Sequence, residues 1–309
     1  MNVLITGGAG FIGSHLVRLL LSEGHTVTVL DDLSTGRLDN LPAEDGRLRL
    51  HLGDVADQSA LDAVLPGQDA AVHLAAVASV EASVREPVRT HRTNLEGSIR
   101  LFDTAARLGV RRVLYASSAA VYGNNANLPL REEAEKMPLS PYAADKLAGE
   151  HYLAHYHRLD RLDATAFRFF NVFGPRQDPS SPYSGVISIF LDRARRGAPI
   201  TVFGDGTQSR DFVYVGDVVR ALAGELTRTS ERPAEMPVFN VGRGSQVSLL
   251  QLLELVRDLP GVQPFDVQFG APRHGDIHAS LADVSRLRAA GWEPRSTLSE
   301  GLAQTLQNS

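Results

Sequence analysis

Short apolar runs alternate with longer stretches of helical periodicity through the first half of the chain. Between these runs, stretches such as FIGSHLVRLLLSEG (11–24) repeat apolar residues at helical spacing and stop at a glycine. Strands that alternate with helices predict a parallel sheet that is covered by helices on both faces. The apolar runs lie at 2–6, 26–30, 47–51, 70–74, 112–117 and 163–170.

The chain changes character after the sixth apolar run. From about Asn171 it is rich in proline, glycine and serine, and helical periodicity returns only later, as in VSLLQLLELVRDL. We therefore predict an α/β protein with a Rossmann-type doubly wound parallel sheet in residues 1–170 and a smaller α/β lobe, mainly residues 171–309, that binds the substrate. A later segment, roughly 206–245, is expected to return to the first domain.

The composition excludes several classes of function. A formal net charge of -5 leaves no basic footprint for nucleic acid, and the absence of cysteine excludes thiolate catalysis, disulfides and Cys-based metal sites. No run approaches the roughly 18 apolar residues that span a bilayer, and the N-terminus becomes rich in glycine too early for a signal peptide. We expect a cytoplasmic protein without a membrane partner.

A glycine-rich loop, TGGAGFIG, follows the first predicted strand and opens the first helix. Gly7, Gly10 and Gly13 let the backbone approach a pyrophosphate, and the helix N-terminus offers free amides. Asp31 ends the second strand, about 20 residues further on, where a carboxylate accepts hydrogen bonds from the ribose of NAD and repels the 2'-phosphate of NADP. The pattern predicts an NAD site, although a tight turn with close helix packing would use the same glycines.

The segment SPYAADK places a phenol and an amine four residues apart on a predicted helix. Tyr142 and Lys146 therefore lie on one helix face, where the ammonium group is expected to lower the pKa of the phenol. Such a tyrosine can act as a base near neutral pH. Taken alone, the pair would be explained as well by two surface residues of an amphipathic helix.

Nine motifs in chain order carry a resemblance that extends over nearly the whole sequence. They are TGGAGFIGSH, HLAAVASV, TNLEGS, YASSAAVYG, SPYAADK, FRFFNVFGPRQ, VFGDGTQSRDFVYVGDV, FNVGRG and PRHGDI. With these motifs the chain resembles the extended short-chain dehydrogenases/reductases that modify nucleotide sugars, and most closely their UDP-galactose 4-epimerase branch.

The resemblance implies the residues of the catalytic and cofactor sites. Tyr142 matches the catalytic base, Lys146 matches its partner, which also holds the nicotinamide ribose, and Ser118 takes the place of the catalytic Ser/Thr. Asp54 and Val55 lie where adenine is contacted, although a turn with a helix cap at Asp57 explains them equally well. The predicted NAD contacts are Gly7, Gly10, Phe11, Ile12, Gly13, Asp31, Asp54, Val55, Leu74, Ala75, Ala76, Asn94, Tyr142 and Lys146.

The resemblance also implies a site for a UDP-sugar. Two arginines in loops suit a diphosphate because a guanidinium forms a bidentate, permanently charged fork. A surface salt bridge at Arg210 and a turn at Asn171 are the alternatives. Besides Ser118, the predicted substrate contacts are Asn171, Arg210, Arg273 and Asp276 at the UDP pyrophosphate and ribose, Val202 and Phe203 along the uracil, and Ser280 near the sugar.

The implied reaction is NAD-dependent 4-epimerisation of a UDP-hexose through a transient 4-keto sugar. Ala119 and Ala120 disfavour a 4,6-dehydratase, which carries an acidic pair at these positions, because two methyl groups cannot move a proton. A UDP-glucuronate 4-epimerase or another nucleotide-sugar epimerase or dehydratase remains an alternative. A non-catalytic NAD-binding sensor on the same fold is the alternative from another class.

The size of the sugar pocket is predicted from Ser280. In some members of the family a tyrosine at the matching position restricts the substrate to UDP-glucose and UDP-galactose, whereas a serine leaves room for an N-acetyl group. We therefore expect UDP-N-acetylglucosamine and UDP-N-acetylgalactosamine to be accepted beside the unacetylated pair. A serine that merely caps a turn would say nothing about size.

Two histidines, His151 and His155, have a spacing that could bind zinc, but the family needs no metal and we expect none. In the family, the helix that carries these histidines pairs with the helix spanning roughly Pro87 to Leu108. The resemblance therefore implies a homodimer held by a four-helix bundle.

Overall fold

The computed structural model describes residues 1–42, 46–179, 185–272 and 277–308. The strands are β1 (Asn2–Thr6), β2 (Thr26–Asp31), β3 (Leu48–Leu52), β4 (Ala70–His73), β5 (Arg112–Ser118), β6 (Asp163–Phe169), β7 (Asn171–Phe173), β8 (Ile200–Phe203), β9 (Ser209–Arg210), β10 (Phe212–Tyr214), β11 (Val238–Val241), β12 (Val247–Ser248) and β13 (Val267–Gly270). The α-helices are α1 (Phe11–Ser22), α2 (Gln58–Val64), α3 (Val80–Arg85), α4 (Pro87–His91), α5 (Gly97–Leu108), α6 (Pro141–Arg158), α7 (Val186–Arg195), α8 (Val215–Leu226), α9 (Leu249–Arg257), α10 (Ser285–Ala289) and α11 (Leu298–Gln307).

A seven-stranded sheet has the strand order β11-β6-β5-β4-β1-β2-β3. The pairings of β1 with β2 and β4, of β2 with β3 and of β4 with β5 are parallel. The order reverses at β1, which is the signature of a doubly wound sheet. The predicted Rossmann-type fold is confirmed, and the sheet gains a seventh strand, β11, that the apolar pattern did not predict.

Burial along the strands follows from their place in this sheet. All four residues of β4 and six of the seven residues of β6 are buried, as expected for inner parallel strands with helices on both faces. The edge strand β3 instead exposes three of its five residues. The apolar runs of the inner strands were therefore long enough to be recognised in the sequence.

The chain forms two compact units. Unit 1 comprises Met1–Gly123, Lys136–Arg168 and Val219–Phe239, and unit 2 comprises Asn124–Glu135, Phe169–Val218 and Asn240–Ser309. The sequence analysis placed a boundary at residue 170 but did not predict that Asn124–Glu135 leaves the first unit.

Both ends of this excursion are fixed inside unit 1. Gly123 has a φ of +57°, a conformation that favours glycine, and a Cβ at this position would overlap the carbonyl oxygen of Met137. The backbone amide of Met137 donates a hydrogen bond of 2.9 Å to the carbonyl of Val121. The chain therefore leaves unit 1 and re-enters it at neighbouring points.

Unit 2 is built around a separate apolar core with three short sheets. β7 pairs with β10 and β8 with β13 in parallel, whereas β9 and β12 are antiparallel. The helices α7, α9 and α11 contribute apolar side chains such as Phe190, Leu252 and Leu302 to this core. The predicted smaller α/β lobe is confirmed.

A buried carboxylate joins three loops of unit 2. Asp211 accepts backbone N–H hydrogen bonds from Arg243 (2.6 Å), Gly244 (3.0 Å) and Ala282 (3.1 Å). Burial raises the pKa of Asp211 to about 6, although these backbone bonds oppose the shift. The side chain therefore holds backbone segments together that lie far apart in the sequence.

Among the residues that the structure describes, no helix is both long enough and apolar enough to cross a membrane. The same residues contain no group of three or more His, Asp or Glu side chains arranged to hold a metal ion. His151 and His155 are exposed on α6.

Candidate active site

The glycine-rich loop lies between the end of β1 and the start of α1. Gly7 has a φ of +71°, and a Cβ on it would come within 2.8 Å of the amide nitrogen of Ala75. A Cβ on Gly13 would overlap the carbonyl oxygen of Gly7. Gly10 precedes α1 and has no side chain to cap it, so the first amides of the helix, at Phe11 and beyond, can face an anion.

Asp31 lies beside this loop at the end of β2. One carboxylate oxygen accepts a hydrogen bond from the amide of Ala9 and the other from that of Leu33, both at 2.9 Å. Burial raises the pKa of Asp31, and the two backbone bonds lower it in part. Each oxygen keeps a lone pair for a ribose hydroxyl, so the loop and the carboxylate together fit the adenosine half of NAD.

The segment after β4 is fixed by Asn94. The Asn94 side chain accepts a hydrogen bond from the amide of Val77 (2.8 Å) and donates one to its carbonyl (3.2 Å). Asn94 is buried in a π-helical turn, Arg92–Glu96, between α4 and α5, and such turns are frequent at functional sites. Leu74 donates its amide hydrogen bond to Thr6, which places Leu74, Ala75 and Ala76 next to the glycine-rich loop.

Asp54 and Val55 are held at the end of β3 by a residue that the sequence analysis missed. Arg92 donates hydrogen bonds to Asp54 (2.5 Å) and to Asp57 (2.7 Å). Asp57 occupies the N-cap position of α2, although its side chain does not bind the helix amides, and Asp54 closes a turn by accepting a 2.8 Å hydrogen bond from the amide of Ala56. The contact of Asp54 and Val55 with adenine stays a prediction. The side chain of Val55 is buried in the core, which leaves its backbone for contact with a ligand.

A buried histidine on β4 connects the elements of this site. His73 Nδ1 lies 2.7 Å from the hydroxyl of Thr6, and its Nε2 lies 2.9 Å from the hydroxyl of Ser98. Since Ser98 gives its only proton to the carbonyl of Asn94, it accepts from Nε2–H, and Nδ1 accepts from Thr6. Burial, together with the charge of Lys146, lowers the pKa of His73 to about 3, so the ring is neutral.

Ser118 and Tyr142 meet where β5 faces the start of α6. Ser140 caps α6 through a 3.2 Å bond from the amide of Ala143, and Pro141 occupies the first helical turn, which positions Tyr142 there. Ser118 ends β5, and its hydroxyl accepts a 3.1 Å bond from the amide of Ala120. The side chains of Ser118 and Tyr142 are hydrogen-bonded to each other.

Lys146 is one helical turn beyond Tyr142 and is only 2% exposed. Its Nζ donates a 2.8 Å hydrogen bond to the carbonyl of Ala116 on β5. The same atom lies 4.9 Å from the ring centroid of Tyr115 and 6.0 Å from that of Tyr142. Burial lowers the pKa of Lys146 to about 8, and the charge of Asp145 opposes this shift.

The pKa of Tyr142 shifts in the opposite direction to the one expected from the sequence. Burial raises the pKa of Tyr142, and the hydrogen bond from Ser118 lowers it only in part. The sequence suggested that Lys146 would lower it, but the ammonium group is 6.0 Å from the ring centroid and donates to Ala116. Desolvation therefore outweighs the charge of the neighbouring lysine.

The predicted substrate residues that the structure describes lie in unit 2, apart from Ser118. Asn171 exposes its side chain at the start of β7, and Arg210 donates a 2.9 Å bond to the carbonyl of Ser209. Ser280 donates its amide hydrogen bond to the same carbonyl at 3.2 Å, so Arg210 and Ser280 are neighbours. Arg273 and Asp276 lie outside the described residues.

A cleft of about 720 Å³ opens in unit 2 beside β8. Two aromatic rings, Phe203 and Phe269, line it together with Gln208 and His278. Val202 is buried in the core under this cleft, so only its backbone can touch a ligand. Flat rings at the wall of a cleft suit stacking against a nucleobase.

The model of the NAD dependent epimerase/dehydratase family matches residues 3–242 of the chain. A UDP-glucose 4-epimerase of Mycolicibacterium smegmatis is 39% identical to the chain over 314 residues, covering 99% of this chain and 98% of the relative.

Solved structures agree with this match. The UDP-glucose 4-epimerase of Thermotoga maritima, determined with UDP-glucose, has a TM-score of 0.93 at 37% identity and covers 100% of this chain and 98% of that one. The UDP-N-acetylglucosamine 4-epimerase of Methanobrevibacter ruminantium, in complex with UDP-N-acetylmuramic acid, has a TM-score of 0.93 at 38% identity, with coverages of 99% and 97%. With its glycine-rich loop, Asp31 and the cluster of Ser118, Tyr142 and Lys146 assembled on such a sheet, the chain belongs to the NAD dependent epimerase/dehydratase family.

Proposed function

We propose that this protein is an NAD-dependent 4-epimerase of UDP-hexoses. The observation that carries the proposal is the cluster of Ser118, Tyr142 and Lys146, in which a phenol is hydrogen-bonded to a serine and stands one helical turn from a buried ammonium group. A phenol held beside a second hydroxyl is suited to exchange a proton with a sugar hydroxyl. The family match and the 4-epimerase names of the relatives support the same reaction.

The chain's own residues move the proton of the reaction. Tyr142, as the phenolate, takes the proton from the hydroxyl on carbon 4, and Ser118 orients that hydroxyl by a hydrogen bond. NAD, held by the glycine-rich loop, Asp31 and Lys146, would supply the hydride acceptor for carbon 4, and its positive ring would offset the burial that raises the pKa of Tyr142. In the return step, Tyr142 gives its proton back to the oxygen on carbon 4. Carbon 4 is inverted if the hydride is added to its other face, and no net oxidation or reduction results.

Unit 2 supplies the residues proposed to hold the nucleotide. Arg210 and Asn171, with Arg273 and Asp276, are assigned to the pyrophosphate and ribose, where a guanidinium offers paired hydrogen bonds. The backbone of Val202 and the ring of Phe203 are assigned to the uracil. Support comes from the cleft in which the rings of Phe203 and Phe269 form part of the wall.

Ser280 is proposed to admit an N-acetyl group on carbon 2 of the sugar. Its side chain is small and half-buried, and its amide is fixed to the carbonyl of Ser209. The name of the Methanobrevibacter relative, a UDP-N-acetylglucosamine 4-epimerase, fits this proposal. Ala119 and Ala120, half-buried in the turn after Ser118, offer no acid or base, which favours epimerisation over dehydration.

The test uses the purified chain without added NAD. It is incubated separately with UDP-N-acetylglucosamine, UDP-glucose and UDP-glucuronate, and the 4-epimers are resolved by chromatography. We expect UDP-N-acetylglucosamine and UDP-glucose to be converted. The Tyr142→Phe variant is expected to lose at least about 100-fold in turnover, because a general base is removed, while its bound NAD stays at the wild-type level.

Each other outcome changes a defined part of the proposal. Conversion of UDP-glucose alone would keep the reaction and refute the role of Ser280. Conversion of UDP-glucuronate alone would show that the protein is a UDP-glucuronate 4-epimerase. No epimer from any of these sugars, even with added NAD, would favour an NAD-binding sensor, and near-normal turnover of Tyr142→Phe would refute the role of Tyr142.

The chain is further proposed to form a homodimer through α6 and the helices that pack on it. Val84 and Val88, on α3 and α4, are 64% and 84% exposed, and Tyr152 on α6 is 46% exposed. Apolar side chains exposed together on neighbouring helices are typical of an interface. Sedimentation velocity should give a dimer for the wild type and a monomer for Val88→Asp, and a monomeric wild type would refute the proposal. A cytoplasmic location stays a prediction from the cysteine-free composition.

A further inference from the structure

A buried ion pair lies in unit 1 behind the catalytic groups. Glu150 on α6 and Arg168 on β6 are 4% and 3% exposed. The guanidinium donates two hydrogen bonds to the carboxylate, from Nε to Oε1 at 2.9 Å and from Nη2 to Oε2 at 2.6 Å. The two-point contact fixes the orientation of both side chains.

The ion pair also holds both ends of the turn that carries Ser118. Ser117, the preceding residue, donates its hydroxyl to Glu150 at 2.5 Å. Tyr122, the last residue of the turn, accepts a 2.8 Å hydrogen bond from Arg168 Nη1 on its phenol oxygen. The segment from Ser117 to Tyr122 is therefore attached to one rigid pair at its first and last residues.

The same ion pair fixes the helix on which the catalytic tyrosine stands. Tyr142, Lys146 and Glu150 follow one another at intervals of four residues along α6. Each makes a contact to β5 or its end: Tyr142 to Ser118, Lys146 to the carbonyl of Ala116 and Glu150 to Ser117. Of these three residues, Glu150 lies farthest along α6 from the catalytic tyrosine.

An ion pair is a costly way to fill a protein core. Two charged groups lose their hydration when they are buried, and well-packed apolar residues are often as stabilising. Apolar residues at these positions could not, however, bind the hydroxyls of Ser117 and Tyr122. The ion pair therefore acts here through its hydrogen bonds to Ser117 and Tyr122, and not through its charge alone.

We propose that Glu150 and Arg168 are positioning residues that hold the Ser118 hydroxyl against Tyr142 by fixing Ser117 and Tyr122. This inference rests on the proposed function for its effect on turnover, and on the hydrogen bond between Ser118 and Tyr142 for its effect on structure.

The test removes the two attachments and keeps the ion pair. Ser117→Ala deletes the hydroxyl that binds Glu150, and Tyr122→Phe deletes the one that binds Arg168. In each variant kcat is expected to fall about tenfold, because the loss of one well-placed hydrogen bond changes a rate by about that factor. KM and the amount of bound NAD should not change. In a Ser118→Ala background the same two substitutions should lower kcat no further, because they act through Ser118.

The matched control is Thr165→Val. Thr165 lies on β6, as Arg168 does, and donates a partly buried hydrogen bond of 2.8 Å to Glu225 outside this network. We expect this variant to lose a similar amount of thermal stability and to turn over like the wild type.

A second measurement does not depend on turnover. In protein labelled at the tyrosine ring carbons, the Cζ chemical shift of Tyr142 reports its hydrogen bond to Ser118, and Tyr142→Phe assigns the signal. Ser117→Ala and Tyr122→Phe should move this shift toward the value of Ser118→Ala, and Thr165→Val should not move it.

The outcomes separate this inference from the proposed function. Wild-type kcat and an unmoved Tyr142 signal in both variants would overturn the positioning role, as would an equal loss of kcat with and without Ser118. A wild type that converts no sugar, but whose Tyr142 signal moves in both variants, would refute the proposed reaction and support the positioning of Ser118.

Discussion

The buried bases of unit 1 and the buried carboxylates of unit 2 have different kinds of hydrogen-bond partner. In unit 1, Lys146 donates one hydrogen bond to a carbonyl among the described residues, that of Ala116, and His73 is kept neutral between two hydroxyls. In unit 2, Asp211 accepts three backbone amides, and Asp217 accepts those of Arg295 (2.8 Å) and Ser296 (3.2 Å).

The difference separates groups that can react from groups that hold the fold. A carboxylate surrounded by backbone amides has its lone pairs in use, and its removal releases loops. A buried amine with one acceptor has donors left for a ligand and a pKa close to neutrality. The buried bases of unit 1 should therefore reduce stability when the pH falls, whereas the buried acid of unit 2 should have the opposite effect.

Lys146 should give the largest effect. Its pKa is about 8 in the folded chain against an ordinary 10.5, so the unfolded chain binds the proton more strongly and stability falls as the pH drops from 10.5 through 8. Lys146→Met should therefore raise the free energy of unfolding at pH 7 by up to about 3 kcal/mol, and by much less at pH 10. Urea unfolding at the two pH values measures this, with Lys136→Met as the control. A variant that is less stable at pH 7 would contradict the comparison.

His73 should give the next largest effect. Its pKa is about 3 when folded against 6.5 ordinarily, so its contribution to stability is present above pH 6.5 and is lost as the pH falls toward 3. Between pH 7 and pH 5 the wild type should lose about 2 kcal/mol more than His73→Gln. His151→Gln, at an exposed histidine, should behave like the wild type in the same urea titrations. Equal losses in all three proteins would show that His73 does not resist protonation.

Asp211 should give the smallest effect, with the opposite sign. Its pKa is about 6 when folded against 3.8 ordinarily, so its contribution is fully present below pH 3.8 and is lost as the pH rises through 6. Going from pH 7 to pH 5, the wild type should gain about 1 kcal/mol relative to Asp211→Asn. Hydrogen exchange of the unit 2 amides measures this, with the exposed Asp258→Asn as the control. A relative loss at pH 5 would show that the two units do not differ in this way.

Sequence reasoning predicted the parts of the molecule that have local signals. Six strands of the central sheet were predicted within one residue of their observed ends, because inner parallel strands are continuous apolar runs. The glycine-rich loop and Asp31 were predicted to be neighbours, and the amide of Ala9 in that loop does bind Asp31. Tyr142 and Ser118 were predicted from motifs and are hydrogen-bonded.

The remainder depends on contacts between distant residues of ordinary type. Ser117 and Glu150 are 33 residues apart, and no spacing rule links a serine on a strand to a glutamate on a helix. The strand β11 has only four residues, and the segment Val219–Phe239 that leads into it returns to unit 1 after fifty residues of unit 2, Phe169–Val218. The direction of the Tyr142 pKa depends on desolvation, which only the packed structure determines.

The excursion Asn124–Glu135 has a consequence for how such a protein can be altered. Because Gly123 and Met137 lie together in unit 1, the residues between them form a closed loop on a fixed base. The entropy of closing such a loop changes slowly with its length. Its middle is less free, because Leu130 and Glu132 are buried and both bind Asn240. A segment exchanged between relatives would therefore have to keep these two residues, whereas its length could change on either side of them while the turn that follows β5 keeps its geometry.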